Sequence, residues 1–295
     1  MEYKGYRITE DGSILIVDGV NDFNPVHIFE CGQCFRWIKQ DDGSYRGIVK
    51  DKAVSVSMDG TRLIIRNSSI RDFIDIWFDY FDLGRDYSAI KKRLSKDEIM
   101  KEAIKYGAGI RLLRQDIWEV LISFIISANN RIPRIMKTVD TLSEMYGKEI
   151  KQENSSFYAF PDPEMLADSE LEHLQICKAG FRCRYIIKAS SMIRDKSVDL
   201  AQLPGMTTVK AREELIRVPG VGQKVADCVL LYSGTKHDVF PTDVWVKRVM
   251  ETLYFKREAT FKEIHAFSDE YFGDLAGFAQ QYLFYYAREN KIGTE

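Results

Sequence analysis

Leu215-Ile216-Arg217-Val218-Pro219-Gly220-Val221-Gly222-Gln223-Lys224-Val225-Ala226-Asp227-Cys228-Val229-Leu230-Leu231-Tyr232 carries the strongest structural signal in the chain. An apolar helical end, a tight Pro-Gly-Val-Gly bend and a second apolar helix make a helix-hairpin-helix. Gly220 and Gly222 permit positive φ and let backbone N–H groups come close to a ligand, while the second helix presents the positive end of its dipole to the same place. That combination suits a phosphodiester. A dinucleotide fingerprint is excluded, because Val225 stands where a third glycine is needed and the preceding segment reads as helix rather than strand. The chain has no Walker A sequence either.

Upstream of the hairpin, helical spacing persists back to Ser69, with Ile70, Phe73, Ile74, Trp77, Phe78 and Phe81 repeating at that period. Before it, to about Asn67, the pattern is one of short β-branched or aromatic runs: Ser13–Val17, Cys34–Ile38, Tyr45–Val49, Ala53–Ser57 and Arg62–Arg66. Asp11-Gly12, Asp42-Gly43 and Asp59-Gly60 separate them, which predicts an antiparallel sheet built of hairpins. The expected class is therefore α+β. An N-terminal antiparallel β-sheet domain with flanking helices is expected over 1–105, then a helical helix-hairpin-helix domain over 106–295 whose C-terminal helix contacts both. Within the latter, the run from Asp116 to Ile126 opens on a capping residue and is apolar on nearly every face, as suits a helix at the centre of a bundle. Asn129-Asn130 reads, in the ordinary way, as the end of that helix.

At 295 residues, with 45% hydrophobic and 29% charged content, the chain can bury the core of one large or two moderate domains. It holds no run of eighteen apolar residues, and Met1-Glu2-Tyr3-Lys4-Gly5 matches neither a secretory signal nor a transit pattern. The expectation is a soluble intracellular protein, in the cytoplasm or nucleoid if the source is bacterial, with no membrane partner. Five cysteines are odd in number and sparse, which argues for a reducing compartment. A net charge of −2 gives no global case for nucleic acid. Charge is nevertheless clustered, with Arg111, Arg114, Arg131, Arg134 and Lys137 in one window and Lys178, Arg182, Arg184, Lys188, Arg194 and Lys196 in another. Each cluster alone is a solvated helix face; together, flanking an apolar core, they suit a phosphate backbone.

Lys224 breaks a local rule, since a cation in the first turn of a helix faces the positive dipole end at a cost of roughly 0.3–1 kcal/mol. Such violations tend to mark functional sites. The same field favours the free amine, the form a Schiff-base-forming lysine needs. The plain alternative is a lysine reaching to solvent, which the hydrophobic run on both sides disfavours. Further on, Val239-Phe240-Pro241-Thr242-Asp243-Val244-Trp245 places Asp243 as the N-cap of the next helix. A capping carboxylate held ionised near Lys224 also suits the positive charge that develops on a sugar ring when a glycosidic bond breaks.

Several further segments sit in order around this pair: Gly32-Gln33-Cys34-Phe35-Arg36-Trp37, Gly109 to Asp116, Ser127-Ala128-Asn129-Asn130-Arg131-Ile132-Pro133-Arg134-Ile135, Gly180-Phe181-Arg182-Cys183-Arg184-Tyr185, Pro241-Thr242-Asp243-Val244 and Gly277 to Phe284. With the hairpin they resemble, over most of the chain, the 8-oxoguanine DNA glycosylase/AP lyase family of the helix-hairpin-helix DNA glycosylase superfamily. The resemblance implies a monomer acting on double-stranded DNA that contains 8-oxoguanine, opposite cytosine, by a lysine Schiff base and β-elimination. It implies Lys224 as the attacking amine and Asp243 as the catalytic carboxylate. Gly32 would offer its carbonyl to the ring N–H that guanine lacks, Cys228 and Phe284 would sandwich the flipped base, and Gln280 would read its Watson–Crick edge. Asn129, Arg134 and Arg182 would fill the vacated stack and contact the cytosine, with Phe181 as wedge. Gly220, Gly222 and Trp245 would lie along the DNA backbone, and carbonyls of Ile216, Val218 and Val221 would hold a structural monovalent or divalent cation. No other cofactor is implied.

Three departures stand out. Phe181 replaces a tyrosine of eukaryotic members, Arg131 replaces the third asparagine of a run, and Trp245 replaces a phosphate-contacting histidine. Competing readings fare less well. Cys31-x-x-Cys34, in a strand-like stretch, with Cys177 and Cys183 has poor zinc spacing, and the absence of cysteine beyond Cys228 leaves no iron–sulfur ligand set. A monofunctional alkylbase glycosylase would need Asp243 but not Lys224, and a passive DNA-binding module would need neither.

Overall fold

The computed structural model describes residues 1–152 and 155–293. Seven strands, β1 (Glu2–Tyr3), β2 (Tyr6–Asp11), β3 (Ile14–Asp18), β4 (Trp37–Lys39), β5 (Tyr45–Val49), β6 (Lys52–Asp59) and β7 (Arg62–Arg66), form one antiparallel sheet in the order β1-β2-β3-β7-β6-β5-β4. Alternation does the work expected of it: Leu15 and Val17, Val54 and Val56, Leu63 and Ile65 all turn to one buried face. Asp11-Gly12 and Asp59-Gly60 lie at the β2–β3 and β6–β7 hairpins, where Gly12 and Gly60 take φ +58° and +61°.

The predicted strand 34–38 shrinks to Trp37–Lys39. Residues 31–36 instead form an irregular, almost wholly buried loop, so Cys31 and Cys34 do not lie in a strand. The reason is polar. Gln33 Nε2 donates to the carbonyls of Ile28 (2.9 Å) and Arg111 (2.8 Å), and its Oε1 accepts from Leu113 N (2.8 Å), a set of bonds that a ladder position would forbid. Gln115 Nε2 adds a bond to Gln33 O at 2.8 Å. The loop is thereby stitched to the segment entering the central helix.

Helix dominates from Ile70 onward, and 70–80 is helical around a π-turn at Phe73–Trp77. A short hairpin, Glu149–Gln152 with Ser155–Tyr158, interrupts the helical run where sequence periodicity gave no warning. The central helix, Ile117–Ser127, is capped by Asp116, whose Oδ1 accepts from Trp118 N and Glu119 N, both at 3.0 Å. Eight of its residues from Trp118 to Ile126 are buried. Each buried Leu, Ile or Phe among them contributes roughly 1.5–3 kcal/mol relative to exposure. The helices Arg182–Arg194, Gln223–Tyr232 and Ala276–Glu289 share its core, while the sheet keeps a separate one around Trp37, Tyr45 and Trp77. Among the described residues no helix is long and apolar enough to cross a membrane.

Candidate active site

The hairpin bends as a turn in which Val221 N donates to Val218 O at 3.1 Å, with Pro219 pre-set and Gly220 at φ +87°. A Cβ on Gly220 would also lie 2.6 Å from the Tyr185 ring, so this glycine is required twice, and the helix carrying Phe181 and Arg182 packs directly on the bend. Gly222 differs from expectation. Its φ is −96°, and nothing lies within 4 Å of a Cβ built there. It is an extended N-cap without a capping side chain, leaving the helix's first N–H groups open rather than turning the chain.

Lys224 follows in the first turn of that helix, half-buried, with Nζ 5.2 Å from the centre of the Phe124 ring. Cys228, one turn on, is buried; burial pushes its thiol up to about 11, with Lys224 pulling the other way. Asp243 caps the helix Val244–Met250 through Oδ1, which accepts from Val246 N at 2.8 Å. Both side chains line one cleft of about 180 Å³ together with Gly32, Cys228, Gln280 and Phe284. Gly32, at φ +85°, brings its backbone so close to Phe284 that a Cβ would sit 3.3 Å from the ring. Gln280 is 3% exposed and its Oε1 is a buried acceptor with no partner among the described residues. A buried amide oxygen left unpaired costs about 1–3 kcal/mol, which a ligand's donor would recover.

The Trp245 ring stands edge-on to Phe284 at 5.0 Å and 86°, bracing the cleft wall. Phe181 is 66% exposed at the start of its helix, with the Arg182 guanidinium 4.6 Å over its ring. Arg182 is buried and committed: Nε donates to Ala128 O (3.1 Å), Nη1 to Ala179 O (3.2 Å) and Nη2 to Asn129 O (3.3 Å). It thus pins the bend after the central helix, where Asn129 takes φ +49° and is exposed. Arg134 is exposed close by, near enough to depress the Arg182 pKa, though less than burial does.

The basic windows separate into two kinds. Arg111 is 3% exposed and gives its guanidinium to carbonyls of Asp22, Asp82 and Asn21, and Arg194 pairs with Asp168 and Asp195, so neither is free for phosphate. Arg131, Arg134, Lys137, Lys178, Arg184 and Lys188 remain exposed. Ile216 ends the helix Thr208–Ile216, and Val218 and Val221 close the turn, where Val218 O spends one lone pair on Val221 N. Among the described residues no group of three His, Cys, Asp or Glu side chains converges as a metal site. Sequence reasoning passed over Phe124 and Tyr232, whose rings stack at 5.3 Å beneath Lys224, and Gln281, which takes the Tyr232 hydroxyl (2.9 Å) and donates to Cys31 O (3.0 Å) beside Gly32. Each lay in an apolar helical run that reads as core.

The family model of the 8-oxoguanine DNA glycosylase N-terminal domain matches residues 15–121, and that of the HhH-GPD superfamily base excision DNA repair proteins matches residues 122–273. The chain belongs to the 8-oxoguanine DNA glycosylase family. A probable N-glycosylase/DNA lyase of Methanothermobacter thermautotrophicus is 30% identical over 249 residues, 77% of this chain and 78% of that protein. Among solved structures, MBOgg1 in complex with a low affinity DNA ligand is 51% identical, with a TM-score of 0.95 over 97% of this chain and 99% of that one. The Clostridium acetobutylicum 8-oxoguanine glycosylase/lyase, in complex with double-stranded DNA containing cytosine opposite 8-oxoG, is 44% identical with a TM-score of 0.94, again over 97% and 99%. The two family models meet inside the central helix, so this 8-oxoguanine glycosylase fold has no linker between its halves there.

Proposed function

We propose that this chain is a bifunctional DNA glycosylase/AP lyase that turns 8-oxoguanine, paired with cytosine, out of duplex DNA and excises it. The observation that carries the reading is the cleft that gathers Lys224, Asp243, Cys228 and Phe284 around the unpaired Gln280 Oε1. A flipped purine needs faces to lie between and polar atoms at its edge, and a buried thiol wall and an aromatic ring supply the first. Gln280 supplies the second, and the carbonyl of Gly32, which lines the same cleft, accepts from the lesion's ring N–H.

Chemistry then follows from the pair. The Lys224 lone pair attacks C1′ as the glycosidic C–N bond breaks and its electrons leave on the base, which takes up a proton. The Asp243 carboxylate, fixed by its cap, stabilises the positive charge on the sugar. Ring opening gives a Schiff base; loss of a C2′ proton expels the 3′ phosphate; water then frees the lysine. Exposed Phe181 wedges the stack, Asn129 and Arg134 face the orphaned cytosine, Arg182 reaches it by exchanging its main-chain bonds, and the open N–H groups at Gly222 and the bend at Gly220 receive the backbone phosphate beside Trp245. A cation held by Ile216, Val218 and Val221 would add positive charge to that phosphate.

Borohydride trapping on an 8-oxoguanine:cytosine duplex tests the reading. Wild type should form a covalent adduct and Lys224→Gln none. Base release without an adduct would instead mark a monofunctional glycosylase, and binding without release a passive module.

A further inference from the structure

Lys224 and Asp243 reach the cleft from separate segments, and their immediate chain neighbours are joined by a third side chain. Gln223 Nε2 and His265 Nδ1 are 2.9 Å apart, and His265 Nε2 lies 3.2 Å from Thr242 Oγ1. The Thr242 hydroxyl donates to Phe240 O at 2.8 Å, so its oxygen is left to accept. That assigns the imidazole proton to Nε2 and leaves the Nδ1 lone pair for the Gln223 amide. Both ring nitrogens are therefore engaged by a neutral ring. Burial, helped by Arg212, holds its pKa below 6.5, against smaller opposing effects of Asp269 and the Phe240 carbonyl. Arg212 is itself occupied by buried Asp227, at 2.6 Å. The ring also stands on a firm base: its helix, Phe261–Tyr271, starts with a capping box of Thr260 and Glu263 and buries Ile264 in the core.

We propose that His265 is a positioning residue for the reaction, clamping the lysine-bearing start of the hairpin helix to the aspartate-bearing loop through Gln223 and Thr242. The inference rests on the excision reading above. It assigns His265 no contact with DNA. Its contribution is to fix the separation of amine and carboxylate, to which the rate of attack on C1′ is far more sensitive than duplex binding is.

His265→Leu and Thr242→Val, alone and together, test it by single-turnover excision, affinity for the lesion duplex and thermal midpoint. Each single variant should lose about tenfold to a hundredfold in the excision and trapping rates, with affinity within about twofold of wild type. The double variant should lose little more than the worse single one, since both cut the same chain of bonds. Unchanged rates, losses that add, or a loss of affinity as large as the loss of rate would each overturn the proposal. A midpoint lowered in step with the rate would do the same. Wild type that neither releases 8-oxoguanine nor traps would sink the excision reading itself, whereas release and trapping by wild type with undiminished rates in His265→Leu would sink only the clamp.

Discussion

Gln33, in the loop between sheet and helices, and Gln280, in the wall of the cleft, are both buried amides, yet the first bonds to Ile28, Arg111 and Leu113 while the Oε1 of the second meets no partner among the described residues. The seam spends its polar groups on holding two halves together, and the cleft keeps one in reserve. The same contrast runs through the glycines: Gly32 at the cleft and Gly220 at the hairpin bend hold crowded backbone, whereas Gly12 and Gly60 merely turn hairpins with open space around them. Burial of a polar group therefore says little by itself; whether its bonds are already made separates scaffold from site.

The sharpest way to break this contrast is Gln33→Leu. It should strand the Arg111 carbonyl and the Leu113 N–H, leave Ile28 O only the weak Cys31 thiol donor, and cost about 3 kcal/mol or more of stability, measured by denaturant unfolding. A cost below about 1 kcal/mol would put Gln33 in the same class as Gln280. Gln280→Met should do the reverse: stability within about 1 kcal/mol of wild type or higher, but 8-oxoguanine excision slower by about tenfold to a hundredfold, with affinity for undamaged duplex little changed. Equal losses of excision and of undamaged-duplex affinity would reject Gln280 as a base reader.

The smallest effect is expected at the one ill-matched place in the seam. Glu119 lies 3.9 Å from Arg36, whose Nη1 is a buried donor without a hydrogen bond, and burial pushes the Glu119 carboxyl up to about 7. A raised carboxyl pKa means that the folded chain holds a proton the unfolded one has lost between about pH 4.5 and 7. Glu119 therefore lowers stability as pH rises through that window. Glu119→Gln should flatten that slope and gain about 1–2 kcal/mol at pH 8, read from urea midpoints across pH. An unaltered slope would contradict the shifted carboxyl.

Much of this was legible in advance. Period-two runs placed β3, β5, β6 and β7 to within a residue or so, except that β6 runs on to Asp59, and Asp116 announced the central helix because a capping carboxylate before an apolar run has few other uses. Cys34–Ile38 misled because its aromatic residues suit a strand as well as a buried loop, and only the partners of Gln33, dozens of residues away, decide between them. At the site, Lys224 was visible as a local exception and Asp243 as the cap of the following helix, and the two line one cleft. Gly222 was not, since an N-cap and a left-handed turn both accept glycine. Phe124 and His265 were hidden for opposite reasons, the one inside a uniformly apolar helix, the other as a lone imidazole whose partners lie on two other segments.

The anchoring of Arg182 has a consequence for how the protein meets an unpaired base on the facing strand. Its guanidinium already satisfies the main-chain oxygens of Ala128 and Asn129 at the bend and of Ala179 just before its own helix. Swinging it toward a pyrimidine would swap one set of bonds for another of similar strength and free the bend at once. Any discrimination among facing bases by Arg182 would thus be inseparable from loop rearrangement, and a lesion-binding event that leaves the loop at rest would be indifferent, through this residue, to what stands opposite.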